Sequence, residues 1–290
     1  MDYNNLCRVI SQKVKNSLVQ NLSQMGWIGE TLAKSSDLKS THQIDEIAIR
    51  VIKSVLKDYQ CNIYLESKPV EYQDGASFSI FIDPVDGSLN WERGVGDPCI
   101  AIAISEKTTD IKLKDLSYAY VEGFRSGDFY YTQSGSSYFF SQLTQKEVCI
   151  QSVGKVRLSE ATAYLRPGYS LAKNQLISSF PIFLLCRDIR AIDNAGMEIC
   201  EIARNAADLM IEARKGSDNF NLLAYPILKS AGGILCDLSG NSLDELSMES
   251  SVQVDYIACN NPELLTQTLD VLRQMKQSRQ YVQDNIIFSY

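Results

Sequence analysis

The chain has 290 residues, with 28 Lys+Arg against 35 Asp+Glu and one His, giving a formal net charge of −7. Apolar residues make up 45% and charged residues 22%, a balance that suits a globular protein with a sizeable core, in one large domain or two intimate ones. An acidic surface does not draw nucleic acid or anionic lipid to itself, so a bound anion must be held by local cations, metals or backbone amides. The longest apolar runs fall far short of the ~20 residues of a membrane span, and the polar segment Met1–Leu6 has no signal-peptide core. The eight cysteines include no CxxC and sit mostly in apolar runs, so they are expected to be reduced packing residues of a cytoplasmic protein. With His42 as the one histidine, a zinc site built on several His is excluded. A Ser-His-Asp triad would have to use His42, and no GxSxG elbow accompanies it.

The first forty residues read as helix, with Val9, Val14, Leu18 and Leu22 as apolar positions and a turn near Gly26–Gly29. Ser40-Thr41-His42-Gln43 has capping-box spacing and opens a helical stripe of Ile44, Ile47, Ala48, Val51, Val55 and Leu56. Strands are predicted at Cys61–Glu66, Ser77–Asp83 and Cys99–Ile104, then a hairpin of Leu116–Val121 and Asp128–Thr132. Beyond about residue 151 the pattern changes. Strands at Thr162–Arg166, Ile182–Cys186, Leu209–Glu212, Ile234–Asp237 and Tyr256–Ala258 alternate with helices at Leu171–Ser179, Asn194–Asn205, a segment ending at Ala231-Gly232-Gly233, and Leu264–Met275. The expectation is a mixed α and β chain in two halves, 1–155 and 156–290.

The chemistry is concentrated in Ile82-Asp83-Pro84-Val85-Asp86-Gly87-Ser88-Leu89-Asn90-Trp91. Asp83 ends an apolar strand, and Pro84 cannot continue the ladder. Asp86 follows across a turn, so the two carboxylates can converge. Gly87-Ser88 then opens a helical turn whose free N–H groups make an anion site. Hard carboxylate oxygens beside a phosphate-sized amide nest suit Mg²⁺, and Glu66, at the end of the preceding strand, adds a third carboxylate.

This string resembles the signature of the inositol monophosphatase superfamily, Mg²⁺-dependent and Li⁺-sensitive phosphatases with the pattern DP(I/V)DG(T/S)xN(F/W). Further resemblance runs from about Lys34 to Leu272, through Leu65-Glu66-Ser67, Val121-Glu122-Gly123, Arg190 to Glu212, Ala231 to Asp237 and Ile257 to Asn261. It implies an α+β fold, a layered αβαβα sandwich, and hydrolysis of a small phosphorylated metabolite, inositol monophosphate or a related sugar or nucleotide phosphate, by metal-activated water. By resemblance, Glu66, Asp83 and Asp86 are metal ligands and Val85 gives a backbone carbonyl. Gly87 and Ser88 hold phosphate, and Ser88 helps activate the attacking water. Lys34 and Glu212 match residues at the substrate. A homodimer that binds neither nucleic acid nor membrane is also implied.

Three departures from the pattern stand out. Ser67 replaces the second Glu of Gly-Glu-Glu. His42 falls where the family has an Asp that orients the water, and as an imidazole that can accept a proton it is the catalytic candidate beside Ser88. The second-half signature Trp-Asp-x-Ala-(Ala/Gly), a source of another metal-binding Asp, is replaced by Ser217-Asp218-Asn219-Phe220-Asn221-Leu222-Leu223-Ala224. Counting from the two sides places Asn219, Phe220 or Asn221 at the ligand position, and Asp218, the nearest charge, is taken as the candidate metal ligand from this half. These departures leave open a homologue with reduced activity, or one that has become a binding or regulatory protein.

Overall fold

The computed structural model describes residues 1–25, 39–166 and 172–285. Two helices come first, α1 (Tyr3–Met25) and α2 (Lys39–Leu56). A sheet of seven strands follows in chain order: β1 (Cys61–Leu65), β2 (Phe78–Asp86), β3 (Cys99–Ser105), β4 (Leu116–Gly123), β5 (Phe129–Gln133), β6 (Ser136–Ser141) and β7 (Lys146–Ile150). Within this sheet, among the described residues, only β1 and β2 pair in parallel, with Leu65 opposite Ile82. The short helix α3 (Ser88–Arg93) leaves the end of β2.

The second sheet runs in the order β11-β12-β10-β8-β9. Its strands are β8 (Thr162–Leu165), β9 (Asp188–Arg190), β10 (Leu209–Glu212), β11 (Ile234–Cys236) and β12 (Tyr256–Cys259). Between them lie α4 (Ala172–Leu185), α5 (Ala195–Ala203) and α6 (Tyr225–Ser230), and α7 (Pro262–Asn285) closes the described chain.

The burial pattern gives the layers. Ile10, Val14 and Leu18 of α1 and Ala48, Ile52 and Leu56 of α2 pack on one face of the first sheet, against Ile80, Ile82, Ile102 and Tyr120. The other face, with Phe81, Ala101 and Val121, packs on Ile199 and Ile202 of α5 and Ile227 and Leu228 of α6. Met210, Tyr256 and Ala258 of the second sheet join that same core. The outer face of the second sheet, with Ala163, Ile211 and Ile257, is covered by Ile182 of α4 and Leu264 and Leu272 of α7. The result is helix, sheet, helix, sheet, helix: an α+β fold in the αβαβα order expected. The sheets divide near residue 155, yet the middle core draws on both, so each half buries its inner face only against the other.

Two local readings are corrected. Ile182–Cys186 is not a strand. Helix α4 runs through it despite Pro181, and the strand begins at Asp188. A short apolar run has no periodicity to separate helix from strand, and burial of Ile182 against the outer face of the second sheet holds the segment helical. The hairpin of β4 and β5 continues into β6 and β7, where Ser-rich and charged residues on an exposed sheet edge carry little strand signal. The turn near Gly26–Gly29 and residue Lys34 lie outside the described residues. Among the described residues no helix is long and apolar enough to cross a membrane.

Candidate active site

The site is built on an irregularity in β2. Asp83 pairs with Ala101 and Asp86 with Cys99, so three steps along β2 match two along β3. This bulge sits at Pro84, which has no N–H to give to the ladder. Residues three apart in a regular strand point to opposite faces, and one extra residue turns the second back onto the face of the first. The core confirms it. Phe81 packs in the middle core and Ile82 in the helix-side core, yet Val85 also packs on the helix side. Asp83 and Asp86 therefore share the inner face, at the junction of the two sheets. Val85 is anchored by its side chain, which leaves its backbone carbonyl as the group it can offer.

Asp83 is buried, and its Oδ1 accepts the Val85 N–H at 3.1 Å. Glu66 continues β1, with its N–H donating to the Ile82 carbonyl at 3.1 Å, which sets its side chain beside Asp83. Asp86 is buried and accepts the Gly196 N–H at 2.6 Å, in the first turn of α5. Burial raises the pKa of all three. For Glu66, pushed up to about 8, the charges of Asp218, Asp86 and Asp45 add to burial. For Asp83, burial acts together with Glu66, Asp86 and Asp45. Asp86 is raised by burial alone of the large effects, against the pull of Arg166 and the Gly196 N–H.

Gly87 then turns the chain with φ +84°, a left-handed conformation in which glycine is free of Cβ strain. The first N–H groups of α3 have no acceptor within the helix. Gly87, Ser88 and Leu89 line a cleft of about 360 Å³ together with Glu66, Asp86, Arg166, Asp193, Arg214, Gly216, Ser217 and Asn221.

The second half enters the cleft differently from the expectation. Asn219 is fully buried and staples the loop after β11: its Nδ2 donates to the Ser247 and Ser250 carbonyls, and its Oδ1 accepts from Val252 N. It therefore belongs to the packing of that loop. Asp218 caps the following 3-10 turn, accepting the Phe220 N–H at 3.0 Å, and its Oδ2 accepts from Ser251 Oγ at 3.2 Å. Its charge still reaches Glu66. Of the open positions at the ligand place, Asn221 lines the cleft.

Glu212 is fully buried, and both its oxygens are held by Arg214 and Arg166. The guanidinium groups stand between it and the cleft, so direct contact with a substrate hydroxyl is not what this arrangement offers. Ser67 is exposed with φ 57° and lines a different hollow, beside Tyr64 and Glu249. The charge missing at that position is thus missing outside the cleft. The side chain of His42 lies outside those described. From the same helix the structure brings Asp45 to the site, one turn further on, with its charge acting on Glu66 and Asp83. Its signal in the sequence is its place three residues after His42, on the same helix face.

Among the described residues, no three acidic, His or Cys side chains close on one point as a preformed metal cage. The donor set nonetheless suits a hard cation. For Glu66 and Asp83 the charges of neighbouring carboxylates, Asp86 among them, add to burial in opposing ionisation, a repulsion that a cation would relieve. Mg²⁺ keeps several waters and needs only one or two carboxylates with a substrate phosphate, so a closed cage is not required.

Comparisons with known proteins agree with this architecture. The bifunctional NADP phosphatase/NAD kinase of Methanococcus maripaludis is 26% identical over 260 residues, covering 83% of this chain. The chain spans 44% of the length of that relative. A fructose-1,6-bisphosphatase/inositol-1-monophosphatase of Methanothermobacter thermautotrophicus is 23% identical, over 84% of this chain and 88% of its own length. Inositol monophosphatase II of Staphylococcus aureus superposes with a TM-score of 0.72 at 18% identity, covering 99% of each chain, which shows a shared fold. The profile of the inositol monophosphatase family matches residues 4–277. That span takes in both sheets, the bulge and the cleft, and the chain belongs to the inositol monophosphatase family.

Proposed function

We propose that the protein is a Mg²⁺-dependent phosphomonoesterase acting on a small phosphorylated metabolite, an inositol monophosphate or a related sugar or nucleotide phosphate. The observation that carries this reading is the set Glu66, Asp83 and Asp86, buried or partly buried with pKa values raised by burial, at the end of a cleft lined by Gly87 and Ser88. Glu66, Asp83, Asp86 and the Val85 carbonyl would hold the cation, with Asn221 or Asp218 contributing from the second half. When bound, Mg²⁺ supplies Lewis-acid stabilisation of charge on the phosphate and lowers the pKa of a water.

The chain's own groups do the rest. Amides at Gly87 and Ser88 hold the phosphate oxygens. The Ser88 hydroxyl accepts and passes on a proton of the attacking water, with a partner from α2, and the charge of Asp45 near Glu66 and Asp83 favours Asp45 over His42 for that part. Glu212 acts through Arg166 and Arg214, which it anchors. Lys34 remains assigned to the substrate by resemblance alone.

The proposal includes a homodimer free of nucleic acid and membrane, in keeping with the net charge of −7. Eight free thiols, most of them buried, support a cytoplasmic location.

The test is a phosphate-release screen over inositol, sugar and nucleotide phosphates, with and without Mg²⁺. Release that requires Mg²⁺ and is lost in Asp83→Asn is expected. Background rates on every ester, with Mg²⁺ still bound, would overturn the enzyme reading in favour of a binding or regulatory homologue.

A further inference from the structure

Three charged side chains, Arg166, Asp193 and Arg214, line the cleft with Gly87 and Ser88, backed by the buried Glu198 and Glu212, and the hydrolytic reading leaves most of them unexplained. Arg166 follows β8, Arg214 lies two residues after β10, Glu212 ends β10, Glu198 is in α5, and Asp193 is in the turn that leads into α5. Glu198 and Glu212 are fully buried and hold the guanidinium groups from behind. Arg166 donates to Glu198 Oε2 from Nε at 3.0 Å and from Nη2 at 2.5 Å. Arg214 donates to Glu212 from Nε at 3.0 Å and from Nη2 at 2.9 Å.

The Nη1 atoms of the two arginines approach one carboxylate oxygen, with Arg166 Nη1 also donating to Glu212 Oε2 at 3.4 Å. Asp193 Oδ1 lies 3.2 Å from Nη1 of Arg214 and 3.6 Å from Nη1 of Arg166. Arg166, Arg214 and Asp193 all line the cleft. A pair of rigid guanidinium groups opening on a cleft is the arrangement that grips a phosphate or carboxylate. Here that anion position is already filled by a side chain of the chain itself.

Two facts mark Asp193 as an insert in this wall. It is the most exposed of the five, at 29% against 10% or less for the others. It also holds a left-handed backbone, φ 62°, which a residue other than glycine adopts at a cost, although Asp and Asn tolerate it best. Its charge decides the sign of the wall: two arginines balance Glu198 and Glu212, and Asp193 leaves a net negative. A second phosphate entering from the cleft would have to displace Asp193 from both guanidinium groups or lie against its charge. A hydroxyl group faces no such penalty. No hydrogen bond to Asp193 Oδ2 is made among the described residues, and an acceptor set beside guanidinium donors complements the hydroxyls of a polyol.

We infer that Asp193 is a specificity-determining residue: by occupying the anion position between Arg166 and Arg214, it directs the cleft toward phosphomonoesters of uncharged polyols and against substrates with a second phosphate. This rests on the phosphatase reading for its catalytic consequence, while its effect on binding does not need turnover.

The experiment compares wild type with Asp193→Asn and Asp193→Gly. Asn keeps the shape and tolerates the left-handed backbone, and Gly removes the side chain together with its strain, so at least one variant is expected to fold as wild type does. The kcat/KM ratio of fructose 1,6-bisphosphate to myo-inositol 1-phosphate is expected to rise tenfold or more in both, chiefly through a lower KM for the bisphosphate. In parallel, fructose 1,6-bisphosphate is titrated calorimetrically with Ca²⁺ in place of Mg²⁺, and binding at least tenfold tighter in the variants than in wild type is expected. A ratio and an affinity that stay within twofold of wild type would overturn the inference. If no variant releases phosphate from either ester, the phosphatase reading fails, and the calorimetric comparison still decides whether Asp193 excludes the second anion.

Discussion

Asp83→Asn is expected to lower phosphate release by on the order of a thousandfold or more, the scale of loss when one preorganised electrostatic contact to the reacting group is removed. The same change is expected to stabilise the metal-free protein. Asp83 is buried, its pKa is raised by burial and then by the charges of Glu66, Asp86 and Asp45, and a neutral amide removes one of the mutually repelling groups. The local geometry survives, because an Asn Oδ1 can still accept the Val85 N–H that Asp83 Oδ1 now accepts at 3.1 Å. Loss of rate together with a higher Tm in EDTA separates a functional carboxylate from a structural one, since a structural carboxylate would lower both. Steady-state assays and melting curves on one preparation of the variant check both halves of this expectation. A variant that keeps wild-type turnover would remove Asp83 from the site.

Metal removal is expected to have an effect that grows with pH. In the metal-free protein Glu66 has a pKa of about 8, above the usual 4.5, because burial and then the charges of Asp218, Asp86 and Asp45 oppose its ionisation. A carboxyl raised on folding binds its proton more tightly in the folded state. Its contribution to stability is full below the unfolded value near 4.5 and is lost as pH rises through about 8. Asp83 and Asp86 shift in the same direction. A bound cation favours the ionised forms and removes the penalty. Mg²⁺ at a hundredfold above its Kd adds about 2.7 kcal/mol, several degrees in Tm for a chain of this length. The Tm difference between Mg²⁺ and EDTA is therefore expected to widen from about pH 5 to about pH 8. Melting curves over that range check it, and a gap that narrows or stays absent would mean that these carboxyl groups do not meet a cation.

The legibility of the site followed the range of its contacts. Asp83, Asp86, Gly87 and Ser88 lie within six residues, and their convergence comes from one local event, a bulge at Pro84. A string of residues can carry that, and so can the strand that ends beside Glu66. Arg166, Asp193 and Arg214 reach the same cleft from the end of β8, the turn before α5 and the end of β10, while Asp45 in α2 acts on Glu66 and Asp83 through its charge. Each alone reads as a surface charge, and only the stacking of two sheets on a shared core brings them together. Asn219 and Asn221 show the limit most clearly. They are two residues apart in a polar loop, yet one is fully buried against the 247–252 loop and the other lines the cleft. The layers themselves were expected from resemblance, because periodicity could not say which face of each sheet met which helix. Helix α4 shows why, since its second half is apolar enough to pass for a strand.

The central claim is that a divalent cation is held where Glu66, Asp83 and Asp86 meet the cleft. The most direct measurement is an anomalous difference map from crystals grown with Mn²⁺. The account predicts a peak flanked by Glu66, Asp83 and Asp86, on the side of the cleft that carries Gly87 and Ser88, and its disappearance in Asp83→Asn crystals. Saturating Mn²⁺ that leaves this point without a peak, or that binds only at other carboxylates, would contradict it.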